Sequence, residues 1–517
     1  MTLTGEAAAL VHRTEVRRRA VSARLDARAR VKLGQFFTPA PVADFIAALS
    51  RLLRSGTVRV LDPGGGIGSL TSSLVARVVT ECPGLTLRVT ALEIDETLHD
   101  DLAATLQDCQ AVAARRGVTV VSDLRGADFI RWAADKVTGS LFPGRPEAFD
   151  LVVMNPPYRK VNTATVERRL LAGVGVEVTN LYGAFLALAA ALLERDGQLA
   201  AITPRSFANG PYFRDFRRFF LERMRLDRLH VVGSRSTMFA DAEVLQENVI
   251  FAATRTSDVR SAPVVLSTSS GYEDVPMARV VPYGGVVSPN DRERFIRIVV
   301  DEQDTRTAAV MAALPATLPQ LDLDVATGRV VDFRAREHLR AMPGEQTVPL
   351  IYPGHLRRGA VTWPSTGSKK PNALVRCGET EKLLLPAETY LLVKRFSTKE
   401  ERRRVVAAVF DPGEVPGMAV GFENHLNVCH RRNRGMPREL AQGLCLWLNS
   451  TIVDRFVRQF NGHTQINATD LRSLRYPSAT ELTALGKALG AGAWPGQSKM
   501  DALVAGHVAA LGESPSA

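Results

Sequence analysis

The sequence predicts a doubly wound α/β domain followed by a mixed α/β region of different character. Three observations predict it. Short apolar runs alternate with amphipathic stretches at βαβ spacing through the first half of the chain. A glycine-rich turn, Asp62-Pro63-Gly64-Gly65-Gly66-Ile67-Gly68, joins the first of those runs to a helical stretch. Farther on, Asn155-Pro156-Pro157-Tyr158 stops another run, because proline cannot continue a central strand. Polar and aromatic groups then stand at a strand's carboxyl end, where open α/β sheets bind ligands.

The elements follow in order. Residues 1–33 read as a basic helical arm carrying Arg13, Arg17, Arg18, Arg19, Arg24, Arg28, Arg30 and Lys32. A solvated helix face and a phosphate-contacting arm both fit. Gly34-Gln35-Phe36-Phe37-Thr38-Pro39 precedes an expected helix from Pro41 to Leu53. Thr38 could cap it, and such a helix start could hold a carboxylate; a plain capped helix fits equally well. Val58–Leu61 is strand one and Ser69–Thr80 the helix after the turn. The dinucleotide pattern G-x-G-x-x-G fails, since Ser69 takes its third glycine place counting from Gly64. The glycines still let the backbone approach a ligand closely, and Asp62 could accept a bond from an ammonium group.

Leu87–Glu93 is strand two, running into Ile94-Asp95, and an acid at that tip suits two ribose hydroxyls. Val118–Val121 is strand three. Asp128-Phe129 comes soon after, where an acid and a ring could hold an adenine, with Asp123 as a rival. Each acid taken singly also reads as a solvated loop residue. Leu151–Met154 is strand four. After it, Asn180–Glu194 is a Leu/Ala-faced helix ended by Asp196-Gly197, and Gln198–Thr203 is strand five. Phe213, Phe216 and Phe220 have the spacing of a core stripe, although Phe213, nearest the strand tip, could flank a flipped base. Leu229–Val232 and Asn248–Ala253 are expected as an antiparallel pair. Five βα units and this pair make a seven-stranded domain ending near residue 256.

At strand four the residue types suggest a chemistry. The lone pair of an amide-like ring amine is conjugated and poorly nucleophilic. A site that accepts both amine hydrogens pushes the nitrogen toward tetrahedral geometry. The Asn155 side-chain oxygen and the Pro156 carbonyl are two such acceptors, and Tyr158 offers a flat face for a base. A Pro-Pro turn with Tyr158 half buried is the plainer alternative.

Beyond residue 256 the alternation fades, and residues 257–345 read as a linker. Basic clusters follow at Arg357-Arg358, Lys369-Lys370, Lys394-Arg395, Arg402-Arg403-Arg404 and Arg431-Arg432-Asn433-Arg434. Tyr352, Trp363, Tyr390, Phe396 and Phe422 lie among them, a mixture that suits a DNA groove and backbone, with solvated loops as the plainer alternative. Leu444–Phe460 reads as one amphipathic helix. His425 and His463 are expected in structural or phosphate-contacting roles rather than in catalysis. A helical tail closes the chain.

Bulk composition narrows the classes. The 517 residues suit two to four domains. Lys+Arg exceed Asp+Glu by 65 − 54 = 11, which favours a polyanionic partner without separating DNA from RNA or a membrane surface. The longest apolar run, Leu181–Leu193, is too short to span a bilayer. Ala7–Val11 runs straight into arginines and does not read as a secretory leader. The five cysteines show no metal spacing, so a reduced cytoplasmic protein without a metal is expected.

Taken together, Gln35-Phe36-Phe37-Thr38-Pro39, Asp62–Gly68, Glu93-Ile94-Asp95, Asp128-Phe129 and Asn155-Pro156-Pro157-Tyr158 resemble the motif series of adenine-N6 DNA methyltransferases. Their order is similar to that of the gamma class of restriction–modification systems. The resemblance covers about half the chain. It implies a Rossmann-like catalytic domain over residues 34–256, a target-recognition domain over 346–478 and a tail over 479–517. It implies S-adenosylmethionine as donor. Thr38, flanked by Phe37 and Pro39, would hold its methionine end together with Asp62. Gly64 and Gly66 would line the turn, Glu93 with Ile94 would meet the ribose, and Asp128 with Phe129 the adenine. Asn155, Pro156, Pro157 and Tyr158 would grip a flipped adenine, with Phe213 packing nearby. Many relatives carry Ala and Cys in place of Gly64 and Gly65, which touches the packing of the donor rather than its identity. Double-stranded DNA, a separate cognate restriction endonuclease and a monomeric enzyme are the implied partners and state. RNA or protein glutamine is the alternative substrate, and a DNA-binding subunit with a relict fold the alternative role.

Overall fold

A nine-stranded sheet organises the first 300 residues in the computed structural model of this chain. The structure describes residues 5–25, 36–52, 55–139, 148–161, 165–232, 248–272, 274–289, 291–299, 301–367, 369–397, 401–461, 465–490 and 494–512. In chain order the first unit holds α1 (Glu6–Arg24), α2 (Ala40–Leu49), β1 (Gly56–Pro63), α3 (Ser69–Glu81), β2 (Leu85–Leu92), α4 (His99–Arg115), β3 (Thr119–Arg125), α5 (Phe129–Thr138) and β4 (Phe149–Met154). Then come α6 (Leu181–Leu192), β5 (Leu193–Pro204), α7 (Arg214–Leu221), β6 (Met224–Val232), β7 (Asn248–Arg255), β8 (Val264–Ser269) and β9 (Met277–Val281).

The strand order is β3-β2-β1-β4-β5-β7-β6-β8-β9. Strands β1 to β5 run parallel, and β7 returns antiparallel between β5 and β6. After β3 the chain crosses to the other side of β1, so the order reverses between β1 and β4. Their carboxyl ends, Asp62-Pro63 and Met154-Asn155, flank that switch point. Each face of the sheet is covered by its own apolar layer. Residues of α5, α6 and α7 fill one, and residues of α1 to α4 the other. The Leu/Ala helix α6 is buried almost all round, as a helix without a polar face must be.

All seven expected strands are present, and β8 and β9 extend the sheet past the expected limit at residue 256. Val264, Leu266 and Val281 point inward from this extension while Met277 and Val280 stay exposed. The stretch 257–345 is therefore not a linker: its first part completes the sheet, and the two units divide between residues 300 and 301. The basic arm forms a helix over Glu6–Arg24. Helix α1 is docked on the domain, with Thr14 Oγ1 2.9 Å from Ser72 Oγ. Arg17 pairs with Asp108 at 3.1 Å and Arg24 with Asp101 at 2.8 Å, both carboxylates standing on α4. Arg28, Arg30 and Lys32 lie outside the described residues.

The second unit, residues 301–517, contains a six-stranded and a five-stranded sheet with helices, the mixed α/β character expected. The long helix expected over 444–460 is two helices, α8 (Arg438–Leu448) and α9 (Thr451–Phe460). Ser450 caps the second by accepting from the Val453 amide, and Asn449 Nδ2 donates to the Ala407 carbonyl at 2.9 Å, so the break is built from local polar bonds. Among the expected DNA-facing groups, Arg404 is fully buried and donates to Ser397 O and Asn461 Oδ1. Tyr352, Tyr390 and Phe422 are core residues, whereas Phe396 and the Arg357, Arg358, Lys369, Arg402 and Arg432 side chains are exposed. His463 lies outside the described residues.

Helix α8 meets α10 (Ala479–Leu489) backbone to backbone. A Cβ at Gly443 would fall 1.8 Å from Leu482 O, and one at Gly486 1.8 Å from Glu439 O. No side-chain adjustment relieves a clash with a carbonyl. Gly443→Ala is expected to destabilise this unit by about 3 kcal/mol or more, read as a lowered denaturation midpoint.

Candidate active site

One cleft at the switch point gathers most of the predicted residues, while Pro39, Pro156 and Tyr158 pack beside it without lining it. Phe37, Thr38, Asp62, Gly64, Gly66, Glu93, Ile94, Asp128, Phe129, Asn155 and Pro157 line it. Its floor is the turn after β1. Gly64 and Gly66 take φ values of +71° and +57°, a region side chains avoid. The Gly64 and Gly65 amides donate to Leu92 O, and the Gly66 amide to Glu93 Oε2 at 2.9 Å. A Cβ on Gly66 would sit 3.4 Å from the Phe37 ring. The turn is thus tied to the end of β2, and its missing side chains leave the space open.

Asp62 is 1% exposed. Its Oδ2 accepts from Thr71 Oγ1 at 2.6 Å, while Oδ1 is buried with no hydrogen-bond partner. Burial pushes its pKa up to about 6, with the Thr71 bond opposing the shift and the Glu93 charge adding to it. Glu93 is also buried, which raises its carboxyl pKa, while the Asp95 and Gly66 amides pull the other way. Next to it Ile94 is 60% exposed, an apolar surface left open at the rim.

Asp128 caps α5 by accepting from the Arg131 amide at 3.1 Å, so one oxygen is committed to the helix. Phe129 packs on Phe185 with ring centroids 4.7 Å apart. Asp123 is paired with Arg125 at 2.7 Å and does not line the cleft. Asp123 sits within β3, whereas Asp128 stands past its tip and lines the cleft.

On the other wall Asn155 stands just past β4. Its Nδ2 donates to Phe36 O at 2.8 Å and Thr38 Oγ1 at 3.1 Å. Its Oδ1 is shielded from solvent and has no hydrogen-bond partner. Thr38 is therefore not the cap expected for α2; Pro39 holds that position without a side-chain bond. Gln35 lies outside the described residues. Pro156 is buried. Tyr158 is half-buried, with its hydroxyl enclosed and its ring tilted against Phe36 at 5.4 Å.

Phe213 is placed otherwise than expected. It is 3% exposed, stacks on Tyr182 at 5.1 Å and does not line the cleft. Tyr182, whose edge meets Tyr158 at 6.3 Å and whose hydroxyl pairs with Ser206 at 2.5 Å, was not singled out from the sequence. The one signal it gave was an aromatic at the start of a Leu/Ala helix. Among the described residues, Glu337, His338 and Glu379 of the second unit bring metal-ligating atoms together, at a largely exposed place.

Residues 97–239 match the family described as Eco57I restriction-modification methylase. Over 458 residues the chain is 42% identical to the type II methyltransferase M.BsuBI of Bacillus subtilis, covering 88% of this chain and 90% of that one. The chain belongs to the type II restriction–modification methyltransferases. Over 487 residues it is also 38% identical to the type II methyltransferase M.PstI of Providencia stuartii, covering 94% and 95%. As a type II methyltransferase it methylates DNA, and an RNA or glutamine substrate is not favoured. The solved type IIL restriction-modification enzyme MmeI, in complex with DNA, has the same fold at TM-score 0.54 and 12% identity, over 89% of this chain and 71% of that one. Among the described residues of this type II methyltransferase, no helix is long and apolar enough to cross a membrane.

Proposed function

We propose that this type II methyltransferase transfers a methyl group from S-adenosylmethionine to N6 of an adenine swung out of duplex DNA. One observation carries the reading: both Asn155 amide hydrogens are used by the protein, and its oxygen is left without a partner beside the cleft. An unsatisfied buried acceptor costs about 1–3 kcal/mol, a cost that an incoming N–H removes.

The residues fit the donor. Asp62 Oδ1 is an orphaned anionic acceptor suited to an ammonium group, the glycine turn leaves room above the sheet, and Ile94 and Phe129 offer apolar faces to a purine. Glu93 suits ribose hydroxyls, and the remaining oxygen of Asp128 an adenine amine. When bound, S-adenosylmethionine supplies a methyl group activated by positively charged sulfur.

The protein's own work is on the acceptor. Asn155 Oδ1 and the Pro156 carbonyl take the two amine hydrogens, which draws the nitrogen out of conjugation. Pro157 keeps the segment rigid. Tyr158 presents its ring to the base, and holding the amine in line supplies much of the acceleration. Because Oδ1 is shielded, admitting the base requires its neighbours to give way. The exposed cations of residues 346–478 suit the DNA backbone, and this stretch is read as the recognition domain. A monomeric, cytoplasmic enzyme with a separate cognate restriction endonuclease completes the reading.

The test is chemical. DNA methylated by the protein is digested to nucleosides; N6-methyldeoxyadenosine is the expected product, and a methylated cytosine would overturn the adenine assignment. Tyr158→Phe is expected to retain most activity, since the face survives. Tyr158→Ala loses the stack, worth roughly 1–3 kcal/mol, and should lower kcat/KM by about 10- to 100-fold in steady-state assays.

A further inference from the structure

We propose that Thr38 is a positioning residue that sets the orientation of the Asn155 amide, rather than chiefly a ligand of the donor's methionine end. The proposal rests on the reading of Asn155 as the acceptor of the target amine. An asparagine amide turns about a broad, two-fold torsion. The Phe36 carbonyl can only accept, so it decides which end of the amide faces it. A single acceptor still leaves the plane free to rock. The second acceptor, Thr38 Oγ1 at 3.1 Å, engages the same nitrogen from two residues farther along. With both hydrogens held, the plane is fixed and Oδ1 has one direction left.

Thr38 has no competing structural duty in α2, whose cap position is Pro39. It is 5% exposed, so water does not readily replace its oxygen. The bond joins residues 117 apart in sequence, across the cleft wall from the glycine turn. A hydroxyl that accepts from Asn155 also keeps its own proton for donation. Thr38 can therefore touch a carboxylate in the cleft and still hold the amide. The two roles separate experimentally, because one acts on donor affinity and the other on the rate at saturation.

The experiment compares Thr38→Val, Thr38→Ala and Thr38→Ser as full-length proteins. Donor affinity is measured by titration with S-adenosylmethionine, and single-turnover rates at saturating donor on genomic DNA from cells that lack the enzyme. Thr38→Val is expected to slow transfer by about 10- to 100-fold, the scale of a small misplacement of a catalytic group, with the donor Kd within about threefold of wild type. Thr38→Ser restores the acceptor and should recover the rate to within about threefold. Thr38→Ala decides the matter if the valine variant does not fold, and should show the same loss. A saturating rate that stays within threefold in Thr38→Val and Thr38→Ala overturns the proposal. So does a donor Kd weakened more than tenfold with an unchanged saturating rate, which would make Thr38 a donor ligand. Failure of the underlying reading looks different: Asn155→Ala would then transfer methyl groups normally, whatever the Thr38 variants do.

Discussion

Asn155→Ala enzyme is expected to bind S-adenosylmethionine with a Kd within about threefold of wild type and to transfer methyl groups at least about 1,000-fold more slowly. The magnitude follows from sites where one preorganised polar group serves the transition state; removing it costs about 10²–10³ in kcat. Here the loss is compounded, because the same truncation releases the Phe36 carbonyl and the Thr38 hydroxyl that the amide engages. Donor binding should survive, since Asp62, Glu93 and the glycine turn form the opposite wall and are bonded to Thr71, Asp95 and Leu92 rather than to Asn155. Single-turnover assays and donor titration on the same preparation separate the two quantities. A wild-type rate in this variant would sink the proposed chemistry.

Asp62→Asn should do the reverse, weakening the donor without displacing the acceptor side. Its Oδ1 is shielded and unpartnered, so an ammonium group arriving there forms a desolvated charge pair. Losing one member of such a pair costs about 2–5 kcal/mol, roughly 30- to 5,000-fold in Kd. The pKa raised to about 6 adds a pH signature. Above that value the carboxyl is ionised and accepts; below it the carboxyl is neutral and attraction for the ammonium is lost. Wild-type donor affinity should therefore fall as pH drops through about 6, by up to about tenfold per pH unit, and Asp62→Asn should lack that component. In the donor-free protein the sign is opposite for stability. A carboxyl whose folded pKa is raised favours folding when protonated, and that contribution is lost as pH rises through about 6. Calorimetric titration across this range checks the first effect, and chemical denaturation without donor the second. A Kd for Asp62→Asn within threefold of wild type would remove Asp62 from the donor site.

Much of the site was legible in the chain because the relevant information is local. A parallel strand announces itself by a short apolar run and ends where polar residues, glycine or proline begin. Asp62, Glu93 and Asn155 could each be read as a strand tip within a few residues of sequence, and the sheet brings these tips to one edge. The glycine turn needed no partner to be recognised, since φ values of +71° and +57° are what its residue types permit. By contrast, β8 and β9, six and five residues long at the last two places of the sheet, carry too few apolar positions to stand out from a loop. The break at Asn449-Ser450 was hidden by continuous amphipathic spacing on either side.

Local pattern along the chain specifies the order of the elements, the turn that leaves room at the switch point, and the residue types assembled there. How those residues face one another is a property of the folded chain. Arg17 and Arg24 are spent on α4, Phe213 stands behind Tyr182, and the Asn155 amide is turned by partners 117 and 119 positions away. Backbone preferences act over a turn or two of chain and leave their mark in local pattern. The direction of a side-chain amide is set by whichever donors and acceptors the folded chain brings within about 3 Å, and no local pattern records that meeting.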